Sequence, residues 1–401
     1  MYLKPLFALF MLLLVVLASG ATLCRLWSHA KEERRGSRLL FGIVAFVSLF
    51  FAAFMVALEM HWLNWLWRIN EVVIYRVVAI FYTLFIPLAA YGSFSLLDLI
   101  GKKLRPQHRW HLRGYIGIPL MLICFAVLVT GFLNRHHLEV EHVDVESARL
   151  PEGFDDTKIV VLADLHFGTL VGQKSAYLQT IVDSVNALQP DFILMVGDLV
   201  NIYANEMLGP HTILEALEAR IGKYAVMGNH DYGGYFPFDN ETERQANELR
   251  MREVYEMCGF RLLENEGVEI AVGDTDKINV VGIENWGTGR FPKYGDLTAA
   301  MNTVSTDCYT ILLSHDPTAW RPCVLASDYH VDLTVSGNTH GGQFIVFGLS
   351  PAMKEFEFWN GLYSSEQQYI YVSRGLGYTI VPMRVGRGPE ISLIHLHKSV
   401  R

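Results

Sequence analysis

Apolar residues fall along this chain in two regimes. Up to residue 133 they run in four long stretches, Pro5–Leu23, Leu39–Leu58, Val77–Ile100 and Tyr115–Leu133, each of about the length that crosses a bilayer. Beyond residue 157 the runs are short. Lys158–Ala163 and Phe192–Val196 are dense in β-branched and aliphatic residues, as buried strands are, and Ser175–Leu188 between them repeats at helical spacing. The same pattern predicts strands at Lys223–Met227, Val268–Val272 paired with Ile278–Gly282, Thr310–Leu313, Val331–Ser336, Phe344–Phe347, Tyr369–Val372, Thr379–Val381 and Ile391–Leu396. Helices are expected at Ile213–Arg220 and Asn240–Met257, the second charged and exposed. Leu138–Val145 alternates apolar with polar and reads as an edge strand. The expected division is a transmembrane region of four helices over residues 1–133, a link over 134–157, and an α/β domain over 158–401.

Charge changes the picture at the membrane. Arg25, Lys31, Arg34, Arg35 and Arg38 lie between the first two stretches, and Lys102, Lys103, Arg105, Arg109 and Arg113 between the last two. Basic loops stay cytoplasmic, so the N-terminus and everything after Leu133 are expected outside, and the first stretch is expected to be a span rather than a cleaved signal. Trp62, Trp65 and Trp67 suit the headgroup layer on that outer side. The net charge is −8, but residues 1–139 hold 14 basic and 6 acidic groups, and residues 140–401 hold 19 and 35. So acidic a domain lacks the basic footprint that nucleic acid requires and excludes it as a partner. The five cysteines form neither a disulfide framework nor a zinc spacing.

Five of the apolar runs deliver polar groups at their ends: Asp164 and His166, then Asp198, then Asn229-His230-Asp231, then His315, and last Asn338 with His340. Strand C-termini are where open α/β sheets hold ligands. A pair of divalent cations needs hard or borderline donors converging from several elements, with one anionic group shared. Asp198 is the expected bridge, with Asp164, His166 and His340 on one ion and Asn229, His315 and Asn338 on the other. Each motif alone reads as a turn; in order, each at a strand end, they read as one metal centre. Two ions about 3.5–4 Å apart would clamp a phosphoryl group and supply a nucleophile near neutral pH. His230 is expected to protonate the leaving oxygen or bind phosphoryl oxygens, with Asp231 orienting its imidazole. Arg374, Arg384 and Arg387 lie among glycines and are candidates for holding phosphate, with salt bridging as their other reading.

The series Asp164-x-His166, Gly197-Asp198, Gly228-Asn229-His230-Asp231, His315 and Gly337-x-x-His340 resembles the calcineurin-like metallophosphoesterase family over residues 158–396. Gly341-Gly342-Gln343, Gly361-Leu-Tyr363 and Ser373-Arg374-Gly375 resemble its membrane-anchored bacterial branch. The resemblance implies a four-layer α/β/β/α sandwich, paired Mn, Fe, Zn or similar ions, and hydrolysis of phosphomonoesters, phosphodiesters or pyrophosphates. One position departs. The family has Gly-His-x-His where this chain has Gly337-Asn338-Thr339-His340. An amide oxygen is a weaker ligand than imidazole for borderline metals, so the second site is expected to hold its ion loosely or take a harder one such as Mg or Ca. Retained activity, natural loss of catalysis and a disabling substitution all fit Asn338. Two functions follow: a membrane-anchored hydrolase of a phosphate-containing lipid or envelope glycolipid outside the bacterial inner membrane, or a catalytically impaired metal-binding sensor or scaffold.

Overall fold

Unbroken apolar sequence forms helix in the first part of the chain, and short apolar runs form sheet in the second. The computed structural model describes residues 13, 15–20, 23, 35–59, 64–107, 111–287, 291 and 293–399. They fall into two units, Met1–Leu133 and Asn134–Arg401.

In the first unit helices run over Arg35–Glu59, Asn64–Leu104 and Ile118–Leu133. Two segments, Val73–Leu104 and Arg113–His136, are long and apolar enough to cross a membrane. They coincide with the expected spans Val77–Ile100 and Tyr115–Leu133. The expected span Leu39–Leu58 falls on the helix Arg35–Glu59, where the apolar stretch is the shorter Gly42–Phe54. Pro5–Leu23 lies largely outside the described residues, as does Trp62. Asp98 accepts the backbone N–H groups of Leu112 (2.9 Å) and Arg113 (3.1 Å), donors that the start of the last helix leaves without an internal partner.

Among the described residues the second unit holds twelve strands: β1 (Glu139–Ser147), β2 (Thr157–Leu162), β3 (Phe192–Met195), β4 (Gly222–Ala225), β5 (Arg261–Leu262), β6 (Glu266–Val272), β7 (Asp276–Gly282), β8 (Tyr309–Leu313), β9 (Leu333–Ser336), β10 (Gly361–Ser365), β11 (Gln368–Val372) and β12 (Glu390–Lys398). They form two six-stranded sheets, ordered β1-β12-β2-β3-β4-β5 and β10-β11-β9-β8-β7-β6. β2, β3 and β4 are parallel, as are β7, β8, β9 and β11.

Alternation along the strands sorts their side chains into separate cores. Ile159, Val161, Phe192 and Leu194 of the first sheet pack with Ile311, Leu313, Leu333 and Val335 of the second. Val160, Leu162, Ile193 and Met195 point the other way, onto the helices Lys174–Leu188 and Glu241–Met257. On the far side of the second sheet, Leu312, Ile370 and Val372 meet Trp320, Val324 and the short helix Leu297–Met301. Burial of both faces is why these strands read as continuous apolar runs.

Several expectations are revised. The helix Glu241–Met257 is capped by Asn240, which accepts from the Glu243 N–H, and it is not merely exposed: Met251, Val254 and Tyr255 are buried. Ile213–Arg220 is helical only as the turn His211–Leu214. Phe344–Phe347 and Thr379–Val381 are not strands, because left-handed backbone at Gln343, Phe347 and Ile380 breaks any ladder. The edge strand expected at Leu138–Val145 does form, as β1 at the end of the first sheet, and it pairs along its whole length with β12 in parallel register.

Candidate metal centre

β2, β3, β4, β8 and β9 end in turns that carry the predicted ligands, and the turns are stitched to one another through backbone. The N–H of Asp164 donates to Gly197 O, that of His166 to Asp198 O, and that of Gly337 to His315 O, each at 3.0 Å. Five site residues take left-handed backbone: Asp164 (φ 51°), His166 (43°), Asp198 (55°), Asn338 (69°) and His340 (52°). Non-glycine residues seldom adopt this conformation, and where it recurs the surrounding structure holds strain at a functional site. The glycines between make room. A Cβ on Gly228 would collide with Asp198 Oδ1, and one on Gly337 would lie 2.5 Å from Asp164 Oδ2.

Asp164, His166, Asp198, Asn229, His315 and His340 are all buried and all converge. His166 Nε2 lies 3.4 Å from Asp198 Oδ2 and 3.8 Å from Asp164 Oδ1, and His340 Nε2 lies 3.7 Å from Asp164 Oδ1. On the other side His315 Nε2 lies 3.3 Å from Asp198 Oδ2 and 3.3 Å from Asn229 Oδ1. Asp198 is therefore the carboxylate both groups share. Outer contacts fix the orientations, as is usual for metal ligands. His315 Nδ1 meets Val196 O at 2.7 Å, turning Nε2 inward, and the Asn229 amide donates to the Tyr235 hydroxyl at 2.8 Å, turning Oδ1 inward.

Both nitrogens of His166 and Nδ1 of His340 are buried without a hydrogen-bond partner. Such atoms cost on the order of 1–3 kcal/mol each when left unpaired, and several in one pocket suit a cation. Electrostatics agree. Burial raises the Asp198 carboxyl, but the His315, His230 and His166 imidazoles outweigh it and hold it well below the usual range. Burial lowers His315, but the charge of Asp198 and its hydrogen bond, with Asp164, raise it to about 10. Burial lowers His340 to about 3, leaving a neutral lone pair. The donor set and its charge fit a pair of divalent ions.

Not every predicted role survives. Asn338 also braces the site through its backbone, donating its N–H to both Asp164 oxygens at 3.1 and 2.9 Å. Asp231 does not orient the His230 imidazole. Its carboxylate accepts the N–H groups of Asp198 (2.9 Å), Gly228 (2.9 Å) and Val200 (3.2 Å) and the Tyr255 hydroxyl (2.8 Å), clipping two ligand turns together. His230 Nδ1 is held instead by the Asn201 carbonyl, and its ring stacks on Tyr235 at 4.1 Å. The arginines are structural. Arg374 is buried and pairs with Glu139, Glu141 and Glu390; Arg387 pairs with Glu141; Arg384 is buried and donates to the carbonyls of Gly377, Arg374, Gly375 and His340. Because Gly377 in turn donates to Asp164 O at 2.7 Å, Arg384 braces two ligand turns. Sequence gave no sign of Asn201, Tyr235 or Tyr255: their roles come from contacts between distant elements or from backbone atoms.

A family model for calcineurin-like phosphoesterases matches residues 157–342. A transmembrane protein with a metallophosphoesterase domain from Danio rerio is 29% identical over 86% of this chain and 76% of its own length. The metallophosphoesterase YkuE of Bacillus subtilis is 29% identical over 66% of this chain and 87% of its own. A metallophosphoesterase of Helicobacter pylori is 30% identical over 73% of both chains. Shared sequence on that scale, and a family match that spans every predicted ligand, place this chain in the calcineurin-like metallophosphoesterase family.

Proposed function

We propose that this metal-dependent phosphoric ester hydrolase works at the extracytoplasmic face of a bacterial inner membrane, cleaving a phosphate ester or pyrophosphate bond of a lipid or envelope glycolipid. The short tether carries the reading. The apolar segment Arg113–His136 is followed by His137 and Leu138 and then directly by β1. A domain so tethered meets headgroups at a high effective concentration. The side of the membrane follows from charge. Lys102, Lys103, Arg105, Arg109 and Arg113 lie at the junction of the two spans, and the domain follows the opposite end of the second. A basic loop favours the cytoplasm, which directs the domain outward.

Paired divalent ions supply Lewis-acid polarisation of the phosphoryl group and a nucleophile at neutral pH. The chain's residues do the rest. Asp198 would be shared by both ions, Asp164, His166 and His340 would hold one, and Asn229 and His315, with Asn338, the other. With Nδ1 committed to the Asn201 carbonyl, His230 has Nε2 left to exchange a proton with a substrate oxygen. Burial lowers this imidazole to about 4, against the pull of Asp198, so the ring stands neutral.

The test uses the full-length protein in vesicles of anionic phospholipid, with a soluble nitrophenyl phosphate ester as control and Mn in both. Release of phosphate or headgroup from the lipid is expected. A flexible insertion between His137 and Leu138 should slow lipid turnover and leave the soluble ester unaffected. Turnover of the soluble ester with none of any vesicle or envelope lipid would overturn the lipid assignment.

A further inference from the structure

Parallel pairing of β1 with β12 lays Asp144-Val-Glu146 beside His395-Leu-His397, with His142 two residues earlier on β1. Asp144 is the register partner of His395, and Glu146 that of His397. On β12, Ile394 and Leu396 face the core between the sheets, so His395 and His397 project from the opposite face. Asp144, His395 and His397 each offer a donor atom within 4.8 Å of the others, and His397 Nε2 lies 3.5 Å from Asp144 Oδ1. The His142 and His395 ring centroids are 6.0 Å apart, and those of His395 and His397 6.2 Å. Zinc binds imidazole nitrogen at about 2.0–2.1 Å, so rings sharing one ion have centroids roughly 5–6 Å apart. The observed spacings lie at or just beyond the upper end of that range.

A second observation points to a ligand here. His395 Nε2 is buried and has no hydrogen-bond partner. An orphaned buried nitrogen is costly, and coordination removes the cost. The cluster is separate from the catalytic centre. His395 pairs with Lys158 near the start of β2, whereas Asp164 follows the other end of that strand. Lys158 adds a positive charge on one flank, and Glu146, on β1, a negative one on the other.

We propose that His395, His397 and Asp144 form a second metal site of the zinc class on the outer face of β1 and β12. Two imidazoles and one carboxylate, with a fourth position for water, are a donor set for a borderline divalent cation. The ion would cross-link the edge strand that follows the membrane segment to the strand beside it, in the half of β1 away from that segment.

Zinc stoichiometry of the full-length protein by equilibrium dialysis, beside its His395→Ala/His397→Ala variant, tests the assignment. The variant should bind one equivalent less zinc per chain and still hydrolyse the soluble ester. With cobalt as the substitute ion, the difference spectrum should show the visible bands of a tetrahedral site. Unchanged stoichiometry would overturn the proposal. If the double variant fails to fold, as lost ester hydrolysis would reveal, Asp144→Asn replaces it. Its zinc affinity at this site should fall by roughly tenfold or more, and an unchanged affinity overturns the proposal equally.

Discussion

Asn338 sits with its backbone at φ 69°, a conformation asparagine tolerates better than most residues, and its N–H braces Asp164. What it lacks is an imidazole. On the assignment proposed above, an ion on Asn229, His315 and Asn338 with Asp198 would have fewer strong donors than its neighbour, so it is expected to leave first on dialysis. Asn338→His should raise the metal retained toward two ions per chain and raise ester hydrolysis with it. Left-handed backbone does not forbid the change, since His166 and His340 already adopt it. Metal analysis after dialysis reads the result; two ions held equally tightly in the parent protein would show the ranking of donors to be wrong. Gly228 tests the shared carboxylate. A methyl group there would push Asp198 out of place, and a displacement near 1 Å costs about 10²-fold in rate. Gly228→Ala should lose that much activity and lose metal from both sites while keeping its circular dichroism. Activity near that of the parent would contradict Asp198 as the common ligand.

At the scale of elements, β1 is where the sequence was least informative about its own importance. Its alternation was legible, but its partner is β12, some two hundred and fifty residues later, and nothing local announces a parallel pairing at that distance. The same distance hid the fate of Arg374. A guanidinium among glycines resembles a phosphate ligand until Glu139 and Glu141 arrive from β1 and Glu390 from β12. The central strands of the two sheets were legible because burial on both faces writes itself as unbroken apolar runs, whereas the short or half-exposed β5 and β10 were not expected. The turns were legible as ligand types but not as backbone: nothing in Asp164-Leu-His166 signals left-handed φ. Glu139→Gln/Glu141→Gln should therefore destabilise the domain. Arg374 keeps Glu390, and the two lost carboxylates are about a third exposed, so the cost is on the order of 1–3 kcal/mol rather than the full penalty of a broken buried pair. Thermal unfolding checks this; an unchanged midpoint would mean that Glu390 alone neutralises Arg374.

The whole molecule couples a metal-dependent hydrolase to an apolar N-terminal region, and what it can reach depends on which way that region is threaded. The basic residues between Lys102 and Arg113 lie at one end of the segment Arg113–His136, and the domain continues from the other. On the proposed topology a single crossing separates them, which puts them on opposite sides, and the basic end favours the cytoplasm. Cysteine labelling decides it. Cys308 and Cys323 are partly exposed, so both are first replaced by serine; Cys258 is buried and stays silent. Leu249 projects from the helix Glu241–Met257 with 62% of its surface exposed, so Leu249→Cys offers a reactive thiol on the domain. Lys103→Cys offers one in the basic loop. A membrane-impermeant thiol reagent added to intact bacteria, with the outer membrane opened, should label Leu249→Cys at once and Lys103→Cys only after the inner membrane is permeabilised. The reverse order would place the metal centre in the cytoplasm and remove outer-leaflet lipids from its reach.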